Sequence, residues 1–307
     1  AGKTGTEVFN GSEQSVSGFT VKYQVAGEEV SAPVGVSVAL KDGKTAIAKG
    51  TDVGTYEMGL VFDDFAVDAG DYYFDATNDA NKCTDGWLKI TRETFELQAV
   101  NYEGAYDGAS HAGGVTSNLP EGTTVSYSVD EGETWTAEAP SIINAGSLTY
   151  IVKAENPNYE SITANGTLTV KPIDEKVTVT ITERSKTVTY DGTEKSLTGY
   201  AVTDISNPLY TANNFTFNGA AIVMATDAGT YPMQLEAADF VNASPNFSDV
   251  EFVIIDGALV IKPIDVTLTA VSGTKTYNGA EQTIEGFTSS VDGLTFEGVS
   301  ASASGTD

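Results

Sequence analysis

The 307-residue chain carries 43 Asp and Glu against 16 Lys and Arg, a formal charge of −27, with one histidine and one cysteine. Phosphate backbones and anionic lipid repel so acidic a chain, and a single His and a single Cys leave no ligand set for zinc, haem or an iron–sulfur cluster. The 13 Phe, 14 Tyr and 31 Gly still provide core and turn material for folded domains, two or three by length alone.

Residues 5–20, GTEVFNGSEQSVSGFT, return as GTKTYNGAEQTIEGFT at 273–288, with nine identities in sixteen positions. The aromatic-Asx-Gly signature of this segment occurs four times, with Phe9 and Gly11, Tyr106 and Gly108, Tyr190 and Gly192, and Tyr277 and Gly279, spaced 97, 84 and 87 residues apart. Asn-Gly and Asp-Gly pairs suit tight turns, because Gly and Asx tolerate positive φ. A second marker follows in three copies: Asp52-Val53-Gly54-Thr55-Tyr56, Asn144-Ala145-Gly146 leading to Tyr150, and Asp227-Ala228-Gly229-Thr230-Tyr231. Closing runs end each copy, at Gly86 to Ile90, Gly166 to Ile173 and Gly257 to Ile264. The repeats therefore read as 1–93, 94–173, 174–264 and a partial fourth at 265–307, the first without the opening strand that precedes the turn elsewhere. Both ends are ragged in this frame, as in an excerpt from a longer array.

Within the repeats the apolar period is two. Tyr56, Met58, Leu60 and Phe62 alternate with less apolar neighbours, Tyr231, Met233 and Leu235 do the same, and Tyr150, Val152 and Ala154 share their register. Phe95 to Ala99 and Val177 to Ile181 read as opening strands. Short strands with frequent turn signals predict an all-β fold, a tandem array of small immunoglobulin-like β-sandwich modules, with a β-grasp-like module as the alternative. The junctions Lys171-Pro172-Ile173-Asp174 and Lys262-Pro263-Ile264-Asp265 pass from strand to strand with no Gly/Ser tract, which predicts limited swing between neighbours.

Each candidate site competes with a structural role. The marker aromatics Phe9, Tyr106, Tyr190, Tyr277, Tyr56, Tyr150 and Tyr231 could stack on sugar rings, but their fixed register assigns them to the core with hydroxyls at its rim. Asp63, Asp64 and Asp68, with Asp71, Asp75, Asp79 and Asp85 beyond them, could hold Ca²⁺ in acidic loops or at module junctions, though without the spacing of a calcium-binding loop. The insertion Asp71-Tyr72-Tyr73-Phe74-Asp75 could recognise a host glycan or protein. Lys89, Lys171 and Lys262 alternate outward and are expected to be exposed. His111 has Ser110 and Asp107 nearby but no nucleophile elbow or phosphate loop, Cys83 has no partner thiol, and an enzyme is not expected.

The Tyr-Asx-Gly turn, the Asp-x-Gly-Thr-Tyr marker, the closing Leu-x-Val/Ile-Lys-Pro-Ile strand and Asn156-Pro157-Asn158-Tyr159 resemble the bacterial immunoglobulin-like repeats called MBG or YDG domains. The resemblance implies an extracellular or bacterial cell-surface protein, with the chain a stalk segment of an adhesin. Its partners would be neighbouring repeats of the same or a longer chain, with no cofactor and no membrane insertion in this segment. Two alternatives stand beside the stalk: a ligand-binding adhesin module, and a filament subunit assembled by strand exchange at the open edge of the first repeat.

Overall fold

The computed structural model describes residues 1–25, 28–72 and 83–306. The chain is all-β; helix among the described residues is limited to 3₁₀ turns at Phe62–Asp64, Ala212–Asn214 and Ala237–Asp239. No helix among them could pack across a sheet as the β-grasp alternative requires, and none is long and apolar enough to cross a membrane. Two compact units divide the chain, Ala1–Pro172 and Ile173–Asp307.

One pairing pattern recurs in the first three repeats. The closing strand runs parallel to the strand before the aromatic-Asx-Gly turn and antiparallel to the strand of the second marker. In the first repeat Trp87–Thr91 lies between Thr4–Val8 and Gly54–Glu57. In the second, Tyr159–Lys171 lies between Tyr102–Ala105 and Gly146–Asn156, and Thr124–Ser128 extends that sheet to four strands. In the third, Ala258–Lys262 lies between Lys186–Thr189 and Gly229–Pro232. Alternation along the central strand does the packing: Leu88 and Ile90, Leu168 and Val170, and Leu259 and Ile261 are all buried, each worth about 2–3 kcal/mol of burial. Lys89, Lys171 and Lys262 face solvent from the same strands.

Short antiparallel pairs complete these repeats. They are Gln14–Ser17 with Ile47–Gly50 and Ser37–Leu40 with Phe65–Asp68 in the first repeat, and Lys195–Thr198 with Ile222–Ala225 and Phe215–Phe217 with Phe240–Asn242 in the third. The third repeat adds Val177–Glu183 between Tyr200–Ile205 and Val250–Ile255. Residues 265–306 hold Leu268–Ala270 with Phe287–Ser289 and Gln282–Glu285 with Ser302–Gly305.

Two strand expectations change. Phe95 to Ala99 forms no continuous strand: only Ala99 bridges, to Val115, while Gln98 accepts the Thr116 N–H at 2.9 Å and gives its own N–H to the Ser117 hydroxyl at 2.6 Å. The second-marker strand also ends early, at Glu57 and at Pro232, although the inward alternation continues through Leu60 and Leu235. Positive φ at Gly59 (73°) and Gln234 (65°) turns the chain out of the ladder there. Carboxylates take up the released amides. Asp85 accepts Gly59 N–H at 2.9 Å and Leu60 N–H at 2.8 Å, and the buried Glu183 accepts Leu235 N–H at 2.6 Å and Gly257 N–H at 2.7 Å.

Candidate functional site

All four aromatic-Asx-Gly turns share one geometry. The Asx side chain accepts the N–H two residues on: Asn10 from Ser12 at 2.9 Å, Asp107 from Ala109 at 2.8 Å, Asp191 from Thr193 at 2.9 Å, and Asn278 from Ala280 at 3.0 Å. The following Gly11, Gly108, Gly192 and Gly279 sit at φ between 75° and 80°, where a Cβ would strain the backbone. Lys195 caps one turn at 2.5 Å from Asp191 and, with Thr193, holds that carboxyl far below its ordinary pKa.

Two of the second-marker tyrosines, Tyr56 and Tyr231, are corner residues. The Tyr56 and Tyr231 hydroxyls donate back to the carbonyls of Asp52 at 2.9 Å and Asp227 at 3.0 Å. Tyr150 is buried, donates to Val100 O at 2.7 Å and accepts from Gly114 N at 3.0 Å. Its ring takes the space beside Gly166, where a Cβ would stand 2.3 Å from ring carbons. Tyr106 and Tyr190 are half-buried, whereas Tyr277 is 73 % exposed.

The proposed calcium carboxylates are engaged separately. Asp64 is buried, binds the Lys44 ammonium at 2.5 Å and accepts Val61 N–H at 2.9 Å, contacts that hold its pKa below the usual carboxylate range. Asp63 contributes its carbonyl to Lys41 at 2.6 Å, and Asp68 accepts Gly70 N–H at 3.1 Å. No group of three or more His, Cys, Asp or Glu that could hold a metal occurs among the described residues. Asp71 is exposed and Tyr72 is 55 % exposed; Tyr73, Asp75 and Asp79 lie outside the described residues. His111 stacks on Tyr102 with ring centroids 3.7 Å apart, and its Nε2 lies 3.1 Å from Asp107, whose pKa the Ala109 N–H and His111 together lower. The Cys83 thiol sits near Leu60 O, and burial pushes its pKa up.

The densest unforeseen constellation joins the first two repeats inside the first unit. The Pro157-Asn158 turn of the long hairpin Gly146–Asn156 and Tyr159–Lys171 reaches the Asp52-Val53 marker turn. Asn158 Oδ1 accepts Val53 N–H at 2.9 Å while its Nδ2 donates to Asp52 Oδ1 at 2.9 Å, so one amide satisfies a donor and an acceptor together. Beside it Tyr159 meets Phe9 edge-on at 5.4 Å and Phe95 at 5.6 Å. Backbone pairing completes the seam: Glu93 N–H to Asn158 O at 3.1 Å and Glu160 N–H to Glu93 O at 2.8 Å. Buried Asn156 fixes the hairpin by donating to Glu121 O and Thr123 Oγ1, each at 3.0 Å, and accepting Asn158 N–H at 3.0 Å. The signal was in the sequence, since Pro-Asn-aromatic occurs at 157–159 and again at 245–247.

No protein-family model and no curated protein matches the chain. Among solved structures it is similar to an I-band fragment of titin, at 12 % identity over 85 % of this chain and 96 % of that one, with a TM-score of 0.22. It is also similar to the N-terminal Ig1-2 module of the Drosophila receptor protein tyrosine phosphatase DLAR, at 16 % identity over 55 % and 94 %, TM-score 0.20. A third is the Bacteroides ovatus mixed-linkage glucan utilization locus SGBP-B in complex with a mixed-linkage heptasaccharide, at 17 % identity over 64 % and 51 %, TM-score 0.18. A likeness at these scores carries nothing about ligand or role.

Proposed function

We propose that the chain is a segment of the shaft of a bacterial extracellular or cell-surface protein, in which the repeats act as spacers and not as catalysts. The observation that carries this reading is the seam between the first two repeats. An Asn side chain, a pair of backbone hydrogen bonds and a three-ring aromatic cluster reinforce a peptide link with no slack. Such a seam resists bending, which a shaft needs and a flexible tether does not. A net charge of −27 keeps chains of this kind apart from one another and from nucleic acid.

Single-molecule pulling tests the proposal. Repeats of about 80 to 93 residues should unfold in separate events, each releasing roughly 25–30 nm at ~3.4 Å per residue. One all-or-none rupture of the whole chain would refute it.

A further inference from the structure

Three elements of the first repeat receive the Pro157-Asn158-Tyr159 hairpin: the Asp52-Val53 turn, the Phe9 ring and the Glu93 peptide. The third repeat presents the same three in the same register. Its Tyr190 N–H bonds Lys262 O at 2.8 Å as Phe9 N–H bonds Thr91 O at 2.9 Å, and the Tyr231 corner shapes Asp227-Ala228 as the Tyr56 corner shapes Asp52-Val53. Ile264 stands where Glu93 stands, three residues beyond a buried Ile261 that matches Ile90.

Among the described residues Asp227 and Ala228 are exposed, and the Ile264 N–H and C=O make no hydrogen bond. In the second unit, Ile173 shows what such a peptide accepts: its N–H bonds Asn246 O at 2.8 Å and its C=O receives Ser248 N–H at 3.0 Å. That copies the Glu93 pairing with Asn158 and Glu160, and both turns read Pro-Asn-aromatic.

We propose that Tyr190, Asp227-Ala228 and the Ile264 peptide form a docking surface for the Pro-Asn-aromatic turn of a further module of this same repeat type. The chemistry selects the occupant. The turn offers a carboxylate and an N–H side by side, which one Asn amide satisfies together; an Asp in its place would face Asp227 with like charge. The aromatic residue covers the Tyr190 ring, and the backbone of the turn pairs with Ile264. This inference rests on register and hydrogen bonding, and it stands whether or not the chain is a shaft.

The chain itself supplies the probe. Gly305 pairs with Gln282 as Ala225 pairs with Lys195, which brings Asp307 to the sequence position of Asp227. Extending the full chain after Asp307 with a copy of residues 228–264 continues the repeat pattern and places a Pro-Asn-Phe turn next to the surface. Amide hydrogen exchange at Ala228 and Ile264 should slow at least tenfold in the extended chain. Asn→Ala at the appended copy of Asn246 should return Ala228 to its original rate. Unchanged exchange at both amides, with the appended closing strand itself protected, would overturn the proposal. Should the appended module fail to fold, the unextended chain decides. Asn158→Ala must accelerate Val53 exchange at least tenfold while the amides of Leu88 and Ile90 stay protected, and an unchanged Val53 rate overturns the docking chemistry.

Discussion

Glu183 carries the sharpest stability prediction. Its side chain is 3 % exposed, and its two carboxylate oxygens accept Leu235 N–H at 2.6 Å and Gly257 N–H at 2.7 Å. Glu183→Ala leaves both donors buried without an acceptor, at about 1–3 kcal/mol each, and opens a small cavity, for about 3–5 kcal/mol in all. In a repeat of this size 1 kcal/mol moves Tm by about 4–8 °C, so the transition of the third repeat should fall by about 15–30 °C. Glu183→Gln keeps one acceptor but turns an NH₂ toward the other amide, and should cost about half as much. Calorimetry reads the effect. Both tryptophans, Trp87 and Trp135, belong to the first unit, so fluorescence supplies an internal control that should move by less than about 2 °C. A Glu183→Ala chain whose lower transition drops by under about 5 °C would refute the reasoning.

Tyr150→Phe removes the hydroxyl that bonds Val100 O and Gly114 N, and should destabilise the first unit by about 1–3 kcal/mol, read from Trp fluorescence in urea. Gly166→Ala drives a Cβ to 2.3 Å from the same ring and should cost about 2–3 kcal/mol, whereas Gly11→Ala meets open space and should cost only the strain of φ 76°, about 1 kcal/mol; equal effects would count against the steric account. The Ser128 hydroxyl, with Thr134, lowers the Asp130 pKa from 3.8 to about 2 in the folded chain. A folded pKa below the unfolded one means stability that is present above about pH 4 and lost as pH falls toward 2. Asp130→Asn should flatten that part of the first unit's Tm-against-pH curve, and an unchanged acid limb would sink the assignment.

Turn chemistry and the inward period of two were legible because each depends on a residue property that no neighbour replaces. Only Gly takes φ near 76° cheaply after an Asx turn, and the Leu and Ile of the closing strands must alternate to bury one face. The ends of the second-marker strands were not legible. Tyr56 to Phe62 keeps its inward alternation where the ladder has already stopped, because Gly59 and Gln234 turn the backbone and a carboxylate replaces the lost strand partner. Nor was the engagement of Asp64 legible in the acidic run of Asp63, Asp64 and Asp68: its carboxylate meets Lys44 and Val61 N–H, partners 20 and 3 residues away that composition does not name. The grip of Asn158 on Asp52 spans 106 residues: the Pro-Asn-aromatic pattern marks the turn that makes it, but nothing local names its partner.

Within this chain the repeats keep a backbone task while moving the residue that performs it, which explains how the fold persists at low similarity. Register aligns Leu88 with Leu259 and Gly5 with Lys186, so Gly2 occupies the place of Glu183 and Asp85 the place of Asp256. Where Glu183 is replaced by a glycine, the carboxylate comes instead from two residues before the closing strand: Asp85 accepts Gly59 and Leu60 N–H, and Gly86 N–H at 2.8 Å. Asp256 faces solvent, since Glu183 already fills the role. Equal register positions should therefore answer differently to the same change. Asp85→Ala should cost the first unit about 2–4 kcal/mol through stranded amides, and Asp256→Ala should stay within about 0.5 kcal/mol in the second. Comparable losses at both positions in urea titrations would show that the carboxylates share no task and that the structural equivalence of the repeats ends at their hydrophobic strands.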